Sequence, residues 1–165
     1  MEPRFIVDIN AGKLAKWLRI IGYDALLFTD DDDGKMIKIA ATENRIILTK
    51  DSQIMKRRLV TSGKLKAILI EGDELKTQLQ QIARALNLDY QFRPFSVCLE
   101  CNQILIARRK EEIGNLVPHH VFKTQSHYME CPACHRIFWR GTHWQAMSKE
   151  LEELVSQRQH QPKVV

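Results

Sequence analysis

The chain has no apolar run approaching the length of a membrane span, no stretch that reads as a secretory signal, and no internal repeat beyond two short cysteine turns. Crossing a bilayer takes about 20 consecutive apolar residues, so the first absence removes transmembrane helices. Together with the second, it makes a soluble cytoplasmic protein the expectation. A dominant charge of one sign is also lacking. Twenty-five Lys/Arg stand against 20 Asp/Glu, a formal +5 with a pI near 9.1. The excess is shared, with 16 basic and 13 acidic side chains in residues 1–95 and 9 against 7 in residues 96–165. A balance this mild permits a nucleic-acid partner without requiring one.

Cysteine is scarce, and its placement is informative. The four cysteines form two CxxC pairs, Cys98/Cys101 and Cys131/Cys134. Each pair puts two thiolates on one tight turn, and two such turns supply the four soft ligands of a tetrahedral zinc site. Two disulfides or one redox-active CxxC are the alternatives. The missing secretory signal speaks against the first. Redox CxxC motifs come singly near a strand–helix junction, which speaks against the second. The expectation is a closed structural zinc site, which would bring the formal charge to about +3.

The 44% apolar composition supports a real core, and the length fits one compact domain with a small metal-stapled module. Short apolar runs at 5–7, 25–28, 45–48 and 67–70 alternate with helical patterns at 13–21, 34–42, a basic stretch through Leu59, and 74–86. In the first helix Leu14, Trp17, Leu18 and Ile21 fall on one face, and Gly22 stands where a helix stops. Strands separated by helices give βαβ units and a parallel sheet covered on both faces. The expected division is an α/β domain over 1–95, a cysteine ribbon with a closing helix over 96–157, and a disordered tail over 158–165. In the closing helix Trp144, Met147, Leu151 and Leu154 share one side.

Ligands of open parallel sheets sit at the carboxyl ends of the strands. Asp8 and Asp51 each follow a strand, and Asp33 precedes the second helix by one residue on the same rim. Three converging carboxylates repel one another unless a cation lies between them. Oxygen donors favour Mg²⁺ or Mn²⁺, which can activate water against a phosphodiester. Aspartate is equally at home as a helix cap or turn residue, so spacing alone leaves both readings open.

The segments FIVDINAGKLAKWLRIIGYDALLF, DDDDGKMIKIA and RIILTKD, followed by VCLECNQIL, VPHHVF and ECPACHRIFWRGTHW, resemble the Mut7-C ribonuclease family. The resemblance runs from Phe5 to Met147. It implies a PIN-like parallel sheet flanked by helices, then a zinc ribbon, acting as a metal-dependent nuclease on RNA. Carried over to this sequence, it implies Asp8, Asp33 and Asp51 as catalytic ligands of Mg²⁺ or Mn²⁺. A fourth acidic residue is usual in such enzymes, and Asp30, Asp31, Asp32 and Asp73 are candidates. Val97 stands before the first ribbon cysteine where the family leads one to expect Arg.

Several basic and aromatic residues are candidate RNA contacts. Lys13, Lys16 and Arg19 form a stripe on the first helix, by default a solvated face. Lys13 lies nearest the rim. Lys50, beside Asp51, is a phosphate contact or an ion-pair partner of the acidic cluster, and Lys56, Arg57 and Arg58 follow it. In Phe138–Trp144, aromatics alternate with Arg140 and His143, a combination suited to stacking bases and meeting phosphates. Trp144 equally reads as a docking residue. His135 is superfluous beside a complete cysteine set, and His119 and His120 read as surface or loop residues. The reading is therefore a metal-dependent ribonuclease. The alternatives are a non-catalytic RNA-binding or ribosome-associated zinc module and, less compatibly with the ribbon, a receiver-like phosphoacceptor.

Overall fold

The computed structural model describes residues 1–159. Strands β1 (Phe5–Asp8), β2 (Ala25–Phe28), β3 (Ile46–Thr49) and β4 (Ala67–Leu69) form one parallel sheet in the order β2-β1-β3-β4. Helices cover both faces, which is why Phe5, Ile6 and Val7 of the inner strand β1 are all fully buried. Alternation along the strand divides them between two cores. Phe5 and Val7 join Leu14, Leu18 and Ile21 of α1 (Lys13–Ile21), whereas Ile6 joins Met36 and Ala40 of α2 (Asp33–Glu43).

Helix α1 spans the predicted residues, with Trp17 and Leu18 buried. It ends at Gly22, whose φ of 107° is left-handed. A Cβ there would lie 2.2 Å from the Arg93 carbonyl oxygen, so glycine is required twice over. The close approach has a cause: the Arg93 amide donates to the Ile21 carbonyl (3.0 Å) and the Phe95 amide to that of Ile20 (2.8 Å). The segment 93–95 is therefore strapped across the end of α1.

The basic helix expected through Leu59 is two single turns, α3 (Ser52–Met55) and α4 (Arg58–Thr61), broken at an extended Arg57. Ile54, Leu59 and Val60 all pack into one cluster. At about 100° per residue a straight helix would hold Leu59 and Val60 well over 90° around from Ile54. The break lets all three face inward. Strand β3 starts one residue later than expected, because the Arg45 amide donates to the Ala40 carbonyl at the end of α2 (2.8 Å) and the ladder to β1 begins at Ile46. The Arg45 side chain, 6% exposed, donates to the Phe5 carbonyl and Asp24.

Helix α5 (Leu75–Leu86) returns to the α1 face. The ribbon follows as an antiparallel sheet β5-β6-β7, with strands β5 (Ile106–Arg108), β6 (Tyr128–Glu130) and β7 (Ile137–Phe138). Between β5 and β6 lie α6 (Lys110–Ile113) and α7 (His119–Thr124). Ile113, Val117, Val121 and Tyr128 give this insertion its own core, against which Trp139 packs. His119 and His120 thus open a short helix instead of lying in a loop, and both are exposed. Helix α8 (Thr142–Gln159) closes the fold by placing Leu151 and Leu154 in the α1 core. It includes Arg158 and Gln159, which the sequence assigned to the tail. The rest of that tail lies outside the described residues. No helix among the described residues is long and apolar enough to cross a membrane.

Candidate active site and metal centre

Strand order reverses between β1 and β3, and the crevice beyond their carboxyl ends is where ligands of such sheets bind. Asp8 ends β1, and Asp51 follows β3 by two residues. One buried hydroxyl joins them: Thr49 Oγ1 donates to Asp8 Oδ2 at 2.7 Å and accepts from the Asp51 amide at 3.0 Å. Asn10 adds a second bridge, donating from Nδ2 to Asp8 Oδ2 (2.9 Å) and accepting from the Lys50 amide (3.0 Å). Neither Thr49 nor Asn10 stood out in the sequence. A polar residue two positions from each rim aspartate was the available signal.

Asp33 is the first residue of α2 and not the residue before it, since Asp32 is the N-cap, accepting from the Gly34 (2.8 Å) and Lys35 (3.3 Å) amides. Asp33 Oδ2 meets the Arg57 guanidinium at 3.4 Å. Asp51 caps α3 by accepting from the Gln53 amide at 2.8 Å. Each of the three aspartates therefore has one oxygen tethered, while Asp8 Oδ1, Asp33 Oδ1 and Asp51 Oδ2 have no hydrogen-bond partner among the described residues. Such half-held carboxylates suit a hard cation. Their oxygens are not gathered as a group to within 4.8 Å, a spacing that only the cysteines meet among the described residues.

Of the fourth-acid candidates, Asp30 is paired with Lys35 (2.8 Å) and Asp32 is spent on capping, whereas Asp73 pairs with Lys50 at 2.7 Å. Lys50 thus meets an acid, though not Asp8 or Asp51. Lys13 is exposed at the start of α1. Arg140 lies 5.3 Å above the Trp144 ring, which in turn packs on Phe95 at 5.0 Å. His143 is exposed in the first turn of α8. No hydrogen bond or ion pair joins Arg140 or His143 to the rim aspartates among the described residues.

The four cysteine sulfurs all lie within 4.8 Å of one another, and Cys98 Sγ to Cys134 Sγ is 3.9 Å. Sulfurs about 2.3 Å from a common tetrahedral centre would be about 3.8 Å apart, so the cluster is dimensioned for zinc. All four are free thiols. The two turns share one geometry. The Cys98 amide bonds to the Gln103 carbonyl and the Asn102 amide to that of Cys98, just as Cys131 bonds to Arg136 and His135 to Cys131. Asn102 and His135 both have φ of 58°. Neighbouring sulfur at Cys134, with some burial, pushes the Cys101 thiol up to about 12. Burial also acts to raise Cys131, but the amides of Cys134 and Ala133 outweigh it and bring that thiol down to about 7. Four sulfurs this close resist joint ionisation without a cation.

The first turn is also the dock. Arg19, expected on a solvated stripe, is 6% exposed and donates to the carbonyls of Ala25 (2.9 Å) and Leu99 (2.6 Å). Asn102 accepts from the Ala25 amide (2.8 Å) and donates to Asp24 (2.6 Å). Asp24 is bound by Arg4 and Arg45 as well. These bonds cover the start of edge strand β2 and seat the ribbon on the sheet domain.

A parallel α/β domain with carboxylates at its switch point, fused to a four-cysteine ribbon, is the class that fold and site define. Residues 3–151 match the sequence profile of the Mut7-C RNAse domain. The chain belongs to that family, whose description gives it a ribonuclease-type function. No curated protein and no solved structure matches it.

Proposed function

We propose that the protein is a Mg²⁺- or Mn²⁺-dependent, PIN-like ribonuclease, with Asp8, Asp33 and Asp51 as cation ligands and a structural zinc on the four cysteines. The observation that carries this reading is the Thr49 hydroxyl, which ties Asp8 to Asp51 across the switch point of an RNase-family chain. A cation held there supplies charge stabilisation on a phosphodiester and a water of lowered pKa. The chain's own part is to present Asp8 Oδ1 and Asp51 Oδ2 outward while their partner oxygens are held. Arg57 keeps Asp33 turned in the same manner. Lys50 exchanges Asp73 for a substrate phosphate, and Lys13 meets the backbone further along the rim. Arg140 and His143, beside Trp144, offer the ribbon's share of the grip on RNA.

The test is RNA cleavage by purified protein and by Asp51→Asn prepared in parallel. Asparagine keeps the oxygen that caps α3, so the fold is retained while the charge is lost. Cation-dependent cleavage by wild type alone supports the reading. Equal cleavage in both preparations would mean a contaminating nuclease. Tight RNA binding with no cleavage in either would make the protein a non-catalytic RNA-binding module.

A further inference from the structure

We propose that Asn10 is the positioning residue of the rim, fixing which oxygen of Asp8 faces the cation. The inference rests on the metal reading of Asp8. Asn10 sits in the single 3-10 turn Ile9–Ala11 that follows β1, and it is exposed. Its side chain makes two bonds with opposite polarity: Nδ2 donates to Asp8 Oδ2 at 2.9 Å, and Oδ1 accepts from the Lys50 amide at 3.0 Å. That pairing sets the amide orientation, because the flipped form would put a carbonyl oxygen against a carboxylate and an NH₂ against an N–H.

The consequence falls on Asp8. A carboxylate oxygen accepts about two hydrogen bonds through its lone pairs. Asp8 Oδ2 already has two donors, Asn10 Nδ2 and Thr49 Oγ1 at 2.7 Å. Oδ1 is left as the oxygen for a cation, and the carboxylate cannot rotate without breaking both bonds. The two donors come from different elements, Thr49 from β3 and Asn10 from the 3-10 turn after β1. Asn10 also links the β1 exit to the backbone of Lys50, whose side chain reaches Asp73. Residue chemistry allows few substitutes. Asp lacks the donor, Ser lacks the second arm, and Gln carries the amide one methylene too far. Nor is Asn10 needed to stop or start a helix, since neither end of its turn has a side-chain cap.

Ligand-orienting partners outside the coordination sphere typically change metal affinity by about 10- to 100-fold. The experiment is Mn²⁺ titration of the full-length, zinc-loaded protein by calorimetry, comparing wild type with Asn10→Ala, alongside thermal melts without Mn²⁺. The expected result is Mn²⁺ binding weakened by about 10-fold or more in Asn10→Ala, with an unchanged metal-free melting temperature. Equal Mn²⁺ affinity in both proteins overturns the inference and leaves the metal reading standing. Saturable Mn²⁺ binding missing from wild type overturns both. A fall in affinity matched by a fall in metal-free melting temperature would assign Asn10 to the fold and also overturn the inference.

Discussion

Asn102 is where the ribbon's internal geometry and its attachment to the sheet domain can be separated. Its backbone at φ 58° completes the first cysteine turn, while its side chain alone makes the two bonds to Ala25 and Asp24. Asn102→Gly keeps the backbone and deletes the bonds. Ala25 is fully buried, so its amide loses its acceptor with little access to water, at about 1–3 kcal/mol. The lost donor to Asp24 adds little, about 1 kcal/mol or less, because Arg4 and Arg45 still bind that carboxylate. The expected loss is therefore about 1–4 kcal/mol. Asn102→Ala should cost about 1–2 kcal/mol more, the strain of a left-handed alanine. The second turn is the control. His135 has the same φ but an exposed side chain that reaches only Glu130, so His135→Gly should stay within about 1 kcal/mol of wild type. Urea unfolding of zinc-loaded protein, followed by circular dichroism, gives these differences. An Asn102→Gly protein within about 0.5 kcal/mol of wild type would refute the docking argument, that being the scale of an inert surface change.

Gly22→Ala should destabilise by about 3 kcal/mol or more, because a Cβ 2.2 Å from the Arg93 oxygen forces the strap off α1 at a left-handed φ; a melting temperature near wild type would contradict this. Burial acts to raise the Asp24 carboxyl, but hydrogen bonds from Arg45, Asn102 and Arg4 outweigh it and leave it below the ordinary range. A depressed folded-state value stabilises above the unfolded value of about 3.9 and is lost as pH falls through the folded one, so Asp24→Asn should flatten the acid limb of urea midpoints below about pH 4. Freshly purified protein should contain one equivalent of zinc, and Cys131→Ser should lose it and unfold the ribbon first; under half an equivalent in wild type would rule out the zinc site. Arg19→Lys should lower stability although charge is kept, since a single ammonium cannot span the Ala25 and Leu99 carbonyls; equal urea midpoints would deny the bridging role.

Much of this was written locally. The apolar spacing of Leu14, Trp17, Leu18 and Ile21 with Gly22 behind it determined α1 and its end, because helix period and left-handed caps are properties of a few adjacent residues. The continuous apolar triplet at 5–7 determined an inner strand, and the paired CxxC turns determined the thiol cluster. Strand-end positions were enough to put Asp8 and Asp51 on one rim. What tertiary structure alone decided is which polar side chains are buried and what they bind. Arg19 continues the spacing of Lys13 and Lys16, and nothing nearby distinguishes it from a solvated cation. It is buried because the Leu99 carbonyl arrives from 80 residues away. Asn102 and Thr49 are of the same kind. The break at Arg57 exists because three apolar residues share one core. A buried charge or hydroxyl is tolerable only if acceptors are delivered to it, and those acceptors belong to segments that meet only when the sheet and ribbon have assembled.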